Sequence, residues 1–124
     1  MPTTSRRNKY NVSPAAFRQW RGKVYDSKAE MEYAQELFFL LEEAGFITLI
    51  IEQPRTTLGC PENVYRPDFF VIEKGGKEFF VDVKGAYTAE FKRNVKLWRE
   101  YGLRPLHIVK KNRKRKFTTV QVVG

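Results

Sequence analysis

Apolar residues recur at helical spacing in residues 27–44, which is the clearest secondary-structure signal in the chain. The stripe contains Leu37, Phe38, Leu40 and Leu41. Ser27 is a good N-cap and Gly45 is a natural C-terminal stop, so the pattern predicts a helix between them. Glu30 follows the cap by three residues and completes a capping box.

Three later segments are rich in β-branched and aromatic residues and therefore favour strands. They are residues 46–52, 66–72 and 78–85. The last two flank the turn at residues 73–77, whose Gly-Gly pair predicts a tight reversal and hence a β-hairpin. Residues 53–63 contain two prolines and a glycine, and we expect them to form a loop.

A second helix is predicted over residues 89–101, with Thr88 as its N-cap and Gly102 at its end. Its apolar face comprises Phe91, Val95, Trp98 and Tyr101. Two strands are expected after it, at residues 106–110 and 117–123. His107 lies within the first of these and is expected to be a packed residue. The whole chain, residues 1–124, is expected to form one domain. Residues 1–25 would be its basic, irregular N-terminal arm, with the first several residues disordered.

The composition indicates a folded, basic protein. Lys and Arg total 23 against 14 Asp and Glu, and the formal net charge of +9 favours a polyanionic partner. Proteins that bind anionic membranes, and ribosomal proteins, share such a charge. Cys60 is the only cysteine, so no disulfide or cysteine-based zinc cluster can form within one chain. Because no apolar run could span a bilayer and no secretory signal is present, we expect no membrane association and a cytoplasmic location, in the host cell if the protein is phage-encoded.

Cationic residues concentrate in places where DNA could bind. Six of the seven residues at 110–116 are cationic, and such a run repels itself unless an anion is near. Aromatic residues interleave the cations of the N-terminal arm, and they either stack on bases or anchor the arm to the core. The cations of the second helix either hold a phosphate backbone or form a solvated face. The candidate DNA contacts are Arg6, Arg7, Lys9, Arg18, Arg21, Arg66, Lys92, Lys96, Arg99, Lys111, Arg113, Lys114, Arg115 and Lys116.

The candidate chemistry lies at one end of the predicted hairpin. Because side chains alternate along a strand, Asp82 and Lys84 share one face, whereas Val81 and Val83 point the other way. Glu30 lies on the inward stripe of the first helix and points towards the sheet. The plainer alternatives are a surface ion pair between Asp82 and Lys84 and a purely capping role for Glu30.

The length of the turn decides whether Asp68 can join this group. If residues 75–76 alone formed the loop, Asp68 would pair with Val83 and face away from Asp82. A loop of residues 74–76 instead pairs Asp68 with Asp82, and it places its last glycine at a left-handed position. We therefore predict the longer, bulged turn if these residues form a site, unless Asp68 lies outside regular pairing.

Three carboxylates, Asp68, Asp82 and Glu30, would suit one or two Mg²⁺ or Mn²⁺ ions, because hard cations prefer oxygen ligands. The carbonyl of Val83 is a further candidate ligand. Such a metal acidifies water and neutralises phosphate charge, while Lys84 would orient the nucleophile or stabilise the transition state. The set predicts a site for phosphodiester hydrolysis.

The set Glu30, Pro67-Asp68 and Asp82-Val83-Lys84, in the order helix, strand, strand, resembles the PD-(D/E)XK nuclease superfamily over residues 25–110. Within it the chain is most similar to small phage-type endonucleases, including those that resolve Holliday junctions. The resemblance implies an α/β fold with a restriction-endonuclease-like αβββαβ core, in which helices flank a mixed central sheet. It also implies metal ligation by Asp68 and Asp82, an acidic role for Glu30 and a catalytic Lys84. Aspartate stands at position 82, where glutamate is commoner in the superfamily.

The leading functional expectation is therefore a Mg²⁺-dependent DNA endonuclease, selective for branched DNA in phage recombination or DNA processing. A second hypothesis is a strand-nicking subunit of a transposition or restriction assembly. A third, from a different class, is a non-catalytic nucleic-acid-binding module. Cutting both strands of a junction would need two active sites, most simply in a homodimer.

Overall fold

The computed structural model describes residues 13–124. After a 3₁₀ turn at Ala15–Phe17, its elements are β1 (Gln19–Trp20), β2 (Lys23–Val24), α1 (Lys28–Glu42), β3 (Ile47–Glu52), β4 (Thr56–Thr57), β5 (Val64–Tyr65), β6 (Phe69–Glu73), β7 (Glu78–Val83), α2 (Ala89–Tyr101), β8 (Leu106–Lys111) and β9 (Phe117–Val123). Arg6, Arg7 and Lys9, and the expected disorder of the first residues, lie outside the described part of the chain.

A five-stranded mixed sheet forms the centre of the fold, with strand order β3-β6-β7-β8-β9. The β7–β8 pair is parallel and its other neighbouring pairs are antiparallel. Parallel neighbours need a crossover, which α2 supplies. The order α1, β3, β6, β7, α2, β8 follows the expected αβββαβ sequence. The predicted α/β fold with a mixed sheet flanked by helices is therefore confirmed.

Each helix covers a different face of the sheet, and the alternation along β7 shows which side chains belong to which face. Val81 and Val83 pack in the core beneath α1. Phe80 packs in the second core, beneath α2, beside Trp98. Asp82 lies two residues after Phe80 and therefore points to the same face of the sheet as Phe80. It points away from Val81 and Val83, as the sequence predicts.

Both helices begin at the predicted caps. The Ser27 hydroxyl accepts a hydrogen bond from the Glu30 amide at 3.0 Å. The Thr88 hydroxyl accepts one from the Phe91 amide at 3.1 Å. The first helix ends at Glu42, slightly before the predicted bound. In the second, Tyr101 is exposed although the spacing assigns it to the apolar face.

Residues 13–25 are not irregular, contrary to expectation. Strands β1 and β2 pair through Gln19 and Val24 around a turn at residues 21–22, both with positive φ. Trp20 packs edge-on against Phe38, with ring centroids 5.6 Å apart, and Tyr25 is buried. These two aromatic residues anchor the segment to the core. The strands are only two residues long, too short for a periodic signal.

The predicted loop at residues 53–63 also contains secondary structure. Thr56 pairs with Tyr65 and Thr57 with Val64, so β4 and β5 form a small separate ladder. Leu58 directly follows β4 and is buried in the core beneath α2. The loop is thereby held against the fold, which fixes the position of Tyr65. No helix among residues 13–124 has the length and apolar character needed to cross a membrane.

Candidate active site

The hairpin formed by β6 and β7 has the register that the longer turn requires. Phe69 pairs with Val81. At the turn, the Glu73 amide donates to the Lys77 carbonyl at 2.9 Å, and the Gly76 amide donates to the Glu73 carbonyl at 2.8 Å. Gly76 has a φ of 96°. The three-residue loop with its glycine at a positive φ is therefore confirmed.

This register brings Asp68 opposite Asp82, one step beyond the last paired residues of the two strands. The Val83 amide donates to Asp68 Oδ2 at 2.7 Å, which fixes that carboxylate against β7. Burial, followed by the charge of Asp82, raises the pKa of Asp68 well above its usual value. The two carboxylates are thus held side by side in a poorly solvated place.

Asp82 is only 1% exposed and its two oxygens have different surroundings. Oδ2 accepts a short hydrogen bond from the Tyr65 hydroxyl. Oδ1 has no hydrogen-bond partner among the described residues, although Lys84 Nζ lies 3.4 Å away. The Lys84 ammonium also lies 4.6 Å from the centre of the Phe91 ring. Because Asp82 is buried, this pair is not the surface ion pair of the plainer alternative.

Tyr65 was not among the predicted site residues. Its hydroxyl is buried against Asp82, and desolvation and that negative charge raise the pKa of the phenol. The residue belongs to a two-residue strand outside the main sheet. No motif or periodicity in the sequence indicates that its hydroxyl reaches β7.

Glu30 approaches the group from the first turn of α1, and it is 2% exposed. Its Oε2 has no hydrogen-bond partner among the described residues. Burial, and then the charge of Asp26, raises the pKa of Glu30 to about 7. The charge of Glu30 also contributes to the raised pKa of Asp68. The Glu30 amide donates to the Ser27 cap. Among the described residues the Ser27 amide does not donate back to the Glu30 carboxylate, so the reciprocal half of the predicted capping box is not formed and the side chain belongs to the acidic group.

Asp26 is a further acidic residue that sequence reasoning missed. One carboxylate oxygen from each of Asp26, Glu30 and Asp68 lies within 4.8 Å of the others. Asp26 precedes the N-cap of α1 and is exposed. Its position before the helix is visible in the sequence, but the direction of its side chain is not.

The grouped carboxylates of Asp26, Glu30 and Asp68 fit a divalent cation, whereas Asp82, which lies beside Asp68, is not a member of that group. Two buried carboxylate oxygens, Glu30 Oε2 and Asp82 Oδ1, have no hydrogen-bond partner among residues 13–124. Burying carboxylates together without a compensating positive charge is unfavourable, as the raised pKa values of Glu30 and Asp68 indicate. A donor set made of carboxylate oxygens is the kind that Mg²⁺ and Mn²⁺ prefer.

Residues 7–119 match the family described as "Protein of unknown function (DUF1064)". The chain belongs to this family. The match includes all the acidic residues of the site as well as Tyr65 and Lys84. No curated protein matches the chain.

Three of the predicted DNA contacts are engaged in intramolecular contacts. The Arg18 guanidinium donates to the carbonyls of Ser13 and Tyr25 at 2.8 and 2.7 Å. Arg21 pairs with Glu42 at 3.0 Å. Lys111 forms a short ion pair with Glu32. These contacts give the three cations a structural role, and DNA binding by them remains a prediction.

The other predicted contacts within the described residues are exposed. They are Arg66, Lys92, Lys96, Arg99, Arg113, Lys114, Arg115 and Lys116. The basic turn has a defined shape, because Asn112 Oδ1 accepts hydrogen bonds from the amides of Lys114 and Lys116. His107, by contrast, stacks on Phe79 with centroids 4.3 Å apart, as expected of a packed residue, and burial lowers the pKa of His107.

Proposed function

We propose that the chain is a Mg²⁺-dependent endodeoxyribonuclease that hydrolyses phosphodiester bonds. One observation supports this most strongly: Glu30, Asp68, Asp82 and Lys84, from a helix and two strands, meet at one end of the hairpin. Two of their carboxylates present buried oxygens that have no hydrogen-bond partner within the described residues 13–124. A purely structural cluster would be expected to satisfy these oxygens.

Each residue has a distinct role in the proposed reaction. Asp68 and Asp82 would hold Mg²⁺, or Mn²⁺ in its place, with Glu30 and the Val83 carbonyl as further oxygen donors. The bound ion would lower the pKa of a coordinated water and neutralise phosphate charge. The Lys84 ammonium, beside Asp82 and partly exposed, can donate a hydrogen bond to the attacking water or to a phosphate oxygen.

The net charge of +9 and the exposed cations support DNA as the substrate. Selectivity for branched DNA such as Holliday junctions, and a homodimer that carries two active sites, form the finer part of the proposal. A strand-nicking subunit is the alternative enzyme. A non-catalytic binding module would account for the exposed cations, but it leaves the buried carboxylate oxygens of Glu30 and Asp82 unexplained.

The test is cleavage of a supercoiled plasmid and of a labelled four-way junction in Mg²⁺, Mn²⁺ or EDTA. Wild type should cut in either metal and not in EDTA. Lys84→Ala and Asp82→Asn should each lower the rate by about 10³-fold, because each removes a group that acts on the transition state. Lys77→Ala is the matched control, since this exposed lysine lies at the turn end of the same hairpin.

Undiminished cleavage by both site variants would contradict the assignment. Binding without cleavage in any metal would favour the non-catalytic module, and plasmid nicking without linear product would favour the nicking subunit. A solution molecular mass, measured with and without junction DNA, tests the homodimer.

A further inference from the structure

An open groove lies between α2 and β9. It encloses about 270 Å³ and is lined by Tyr87, Lys92, Val95, Lys96, Arg99 and Gln121. Three of these six side chains are cationic and none is acidic. The groove therefore has cations that could contact the phosphates of a nucleic acid and an aromatic ring that could stack on a base.

Aromatic rings connect this groove with the candidate active site. The Lys84 ammonium lies 4.6 Å from the centre of the Phe91 ring. The Phe91 ring in turn packs edge-to-face on Tyr87, with centroids 5.2 Å apart. Tyr87 lines the groove, and Lys110 Nζ lies 6.0 Å from its ring centre. Only two aromatic rings, Phe91 and Tyr87, therefore separate the Lys84 ammonium from the groove.

The arrangement of the cations suits one strand better than a duplex. Lys92, Lys96 and Arg99 follow each other at spacings of four and three residues, so they form one row along α2. The row spans about 10 Å of the helix axis. A half-buried tyrosine beside this row can stack only on a base whose face is free, and a duplex hides its base faces.

We infer that this groove binds a single-stranded DNA segment adjacent to the bond that is cut. Lys92, Lys96 and Arg99 contact its phosphates and Tyr87 stacks on one of its bases. The inference rests on the proposed function and narrows its substrate class, within branched DNA, to DNA with an unpaired segment beside the scissile phosphate, a feature that a fully paired Holliday junction lacks.

The test is fluorescence anisotropy with a labelled single-stranded oligonucleotide and with a duplex of the same sequence, both in EDTA so that no cleavage occurs. The double variant Lys92→Ala/Lys96→Ala is compared with Lys74→Ala/Lys77→Ala, which removes the same charge from exposed positions at the hairpin turn. The groove variant should weaken single-strand binding about tenfold and lower the slope of log K against log salt by about 1.4. The control variant should leave that slope unchanged.

Tyr87→Leu separates stacking from charge. It should weaken single-strand binding about tenfold and leave duplex binding unchanged, because only an unpaired base can stack on the ring. Tyr101→Leu, which changes an exposed tyrosine at the end of α2, is its control, and thermal melting confirms that each variant is folded.

Equal losses in the two double variants, or equal losses on single strand and duplex for Tyr87→Leu, would overturn the groove assignment. So would failure of wild type to bind single strands. These measurements do not depend on cleavage. A wild-type protein that binds single strands through the groove but cuts no DNA in Mg²⁺ or Mn²⁺ contradicts the proposed function and supports the groove as a binding site.

Discussion

The two ends of the hairpin formed by β6 and β7 differ in how well their polar groups are satisfied. At the turn, Glu73 and Lys77 are joined by a backbone hydrogen bond, and Gly76 supplies the positive φ that the loop requires. At the other end, Asp68 and Asp82 crowd together, and a buried oxygen of Asp82 has no hydrogen-bond partner among residues 13–124, with only the Lys84 ammonium 3.4 Å away. The turn end therefore stabilises the fold. The carboxylate end destabilises it, which is common at functional sites.

The stable end determines the geometry of the unstable one. Because side chains alternate along a strand, a register shift of one residue would move Asp68 to the opposite face from Asp82. The three-residue turn fixes that register. A local feature of exposed residues therefore positions the carboxylates of Asp68 and Asp82 at the far end of the strands.

The largest effect that should sharpen this comparison concerns Glu30 in the metal-free protein. The pKa of Glu30 is raised from 4.5 to about 7 in the folded chain, so folding favours the protonated carboxyl. Its contribution to stability is full below pH 4.5 and is lost as the pH rises to about 7. The loss should be on the order of 3 kcal/mol, and Glu30→Gln should remove it. Urea unfolding in EDTA between pH 5 and pH 8 measures both.

Asp68 should contribute in the same direction, since its pKa is also raised. Glu43→Gln, which changes an exposed residue after α1, is the control and should keep the wild-type pH dependence. Adding Mg²⁺ at pH 8 should return to the wild-type protein the free energy of unfolding that it loses at high pH, because a bound cation favours the charged carboxylates. If wild type and Glu30→Gln showed the same pH dependence of stability, the burial of Glu30 in the acidic group would not destabilise the metal-free protein.

An intermediate effect is expected from Tyr65→Phe. The change removes the hydroxyl that donates to Asp82 Oδ2, so the carboxylate loses the group that orients it. Loss of a partner that orients a metal ligand typically weakens metal binding by 10- to 100-fold, and we expect about tenfold for Mn²⁺ by calorimetry. Tyr101→Phe should bind Mn²⁺ like wild type. Unchanged affinity in Tyr65→Phe would mean that Tyr65 does not position Asp82.

The smallest effect is expected at the turn end. Gly76→Ala places a side chain at a φ of 96°, where L-residues are strained, although no atom lies within 4 Å of the added methyl group. It should lower the free energy of unfolding by about 1 kcal/mol. Gly75→Ala also meets no atom within 4 Å and needs no such φ, so it should be nearly neutral. Equal urea midpoints for the two variants would contradict the assigned loop.

Much of the fold could be predicted because its signals are local. Ser27 and Thr88 cap the helices that they were expected to cap, and the bounds of α2 and β9 agree with the sequence pattern. The two short ladders could not be predicted, since strands of two residues show no periodicity. For the same reason no pattern in residues 53–63 indicates that they hold Tyr65 against the sheet.

Within the candidate site, Asp68, Asp82 and Lys84 were predictable because strand alternation and turn length determine their faces. Glu30 was predictable because helical spacing places it on the inward stripe. Tyr65 and Asp26 were not, because each lies in a segment whose direction depends on contacts with distant elements. Sequence alone predicted the helices and the hairpin, but it left two registers open, of which only the longer turn pairs Asp68 with Asp82. Only the tertiary structure decided which side chains from separate elements meet, since that depends on how α1 and the β4–β5 ladder pack against the end of the sheet.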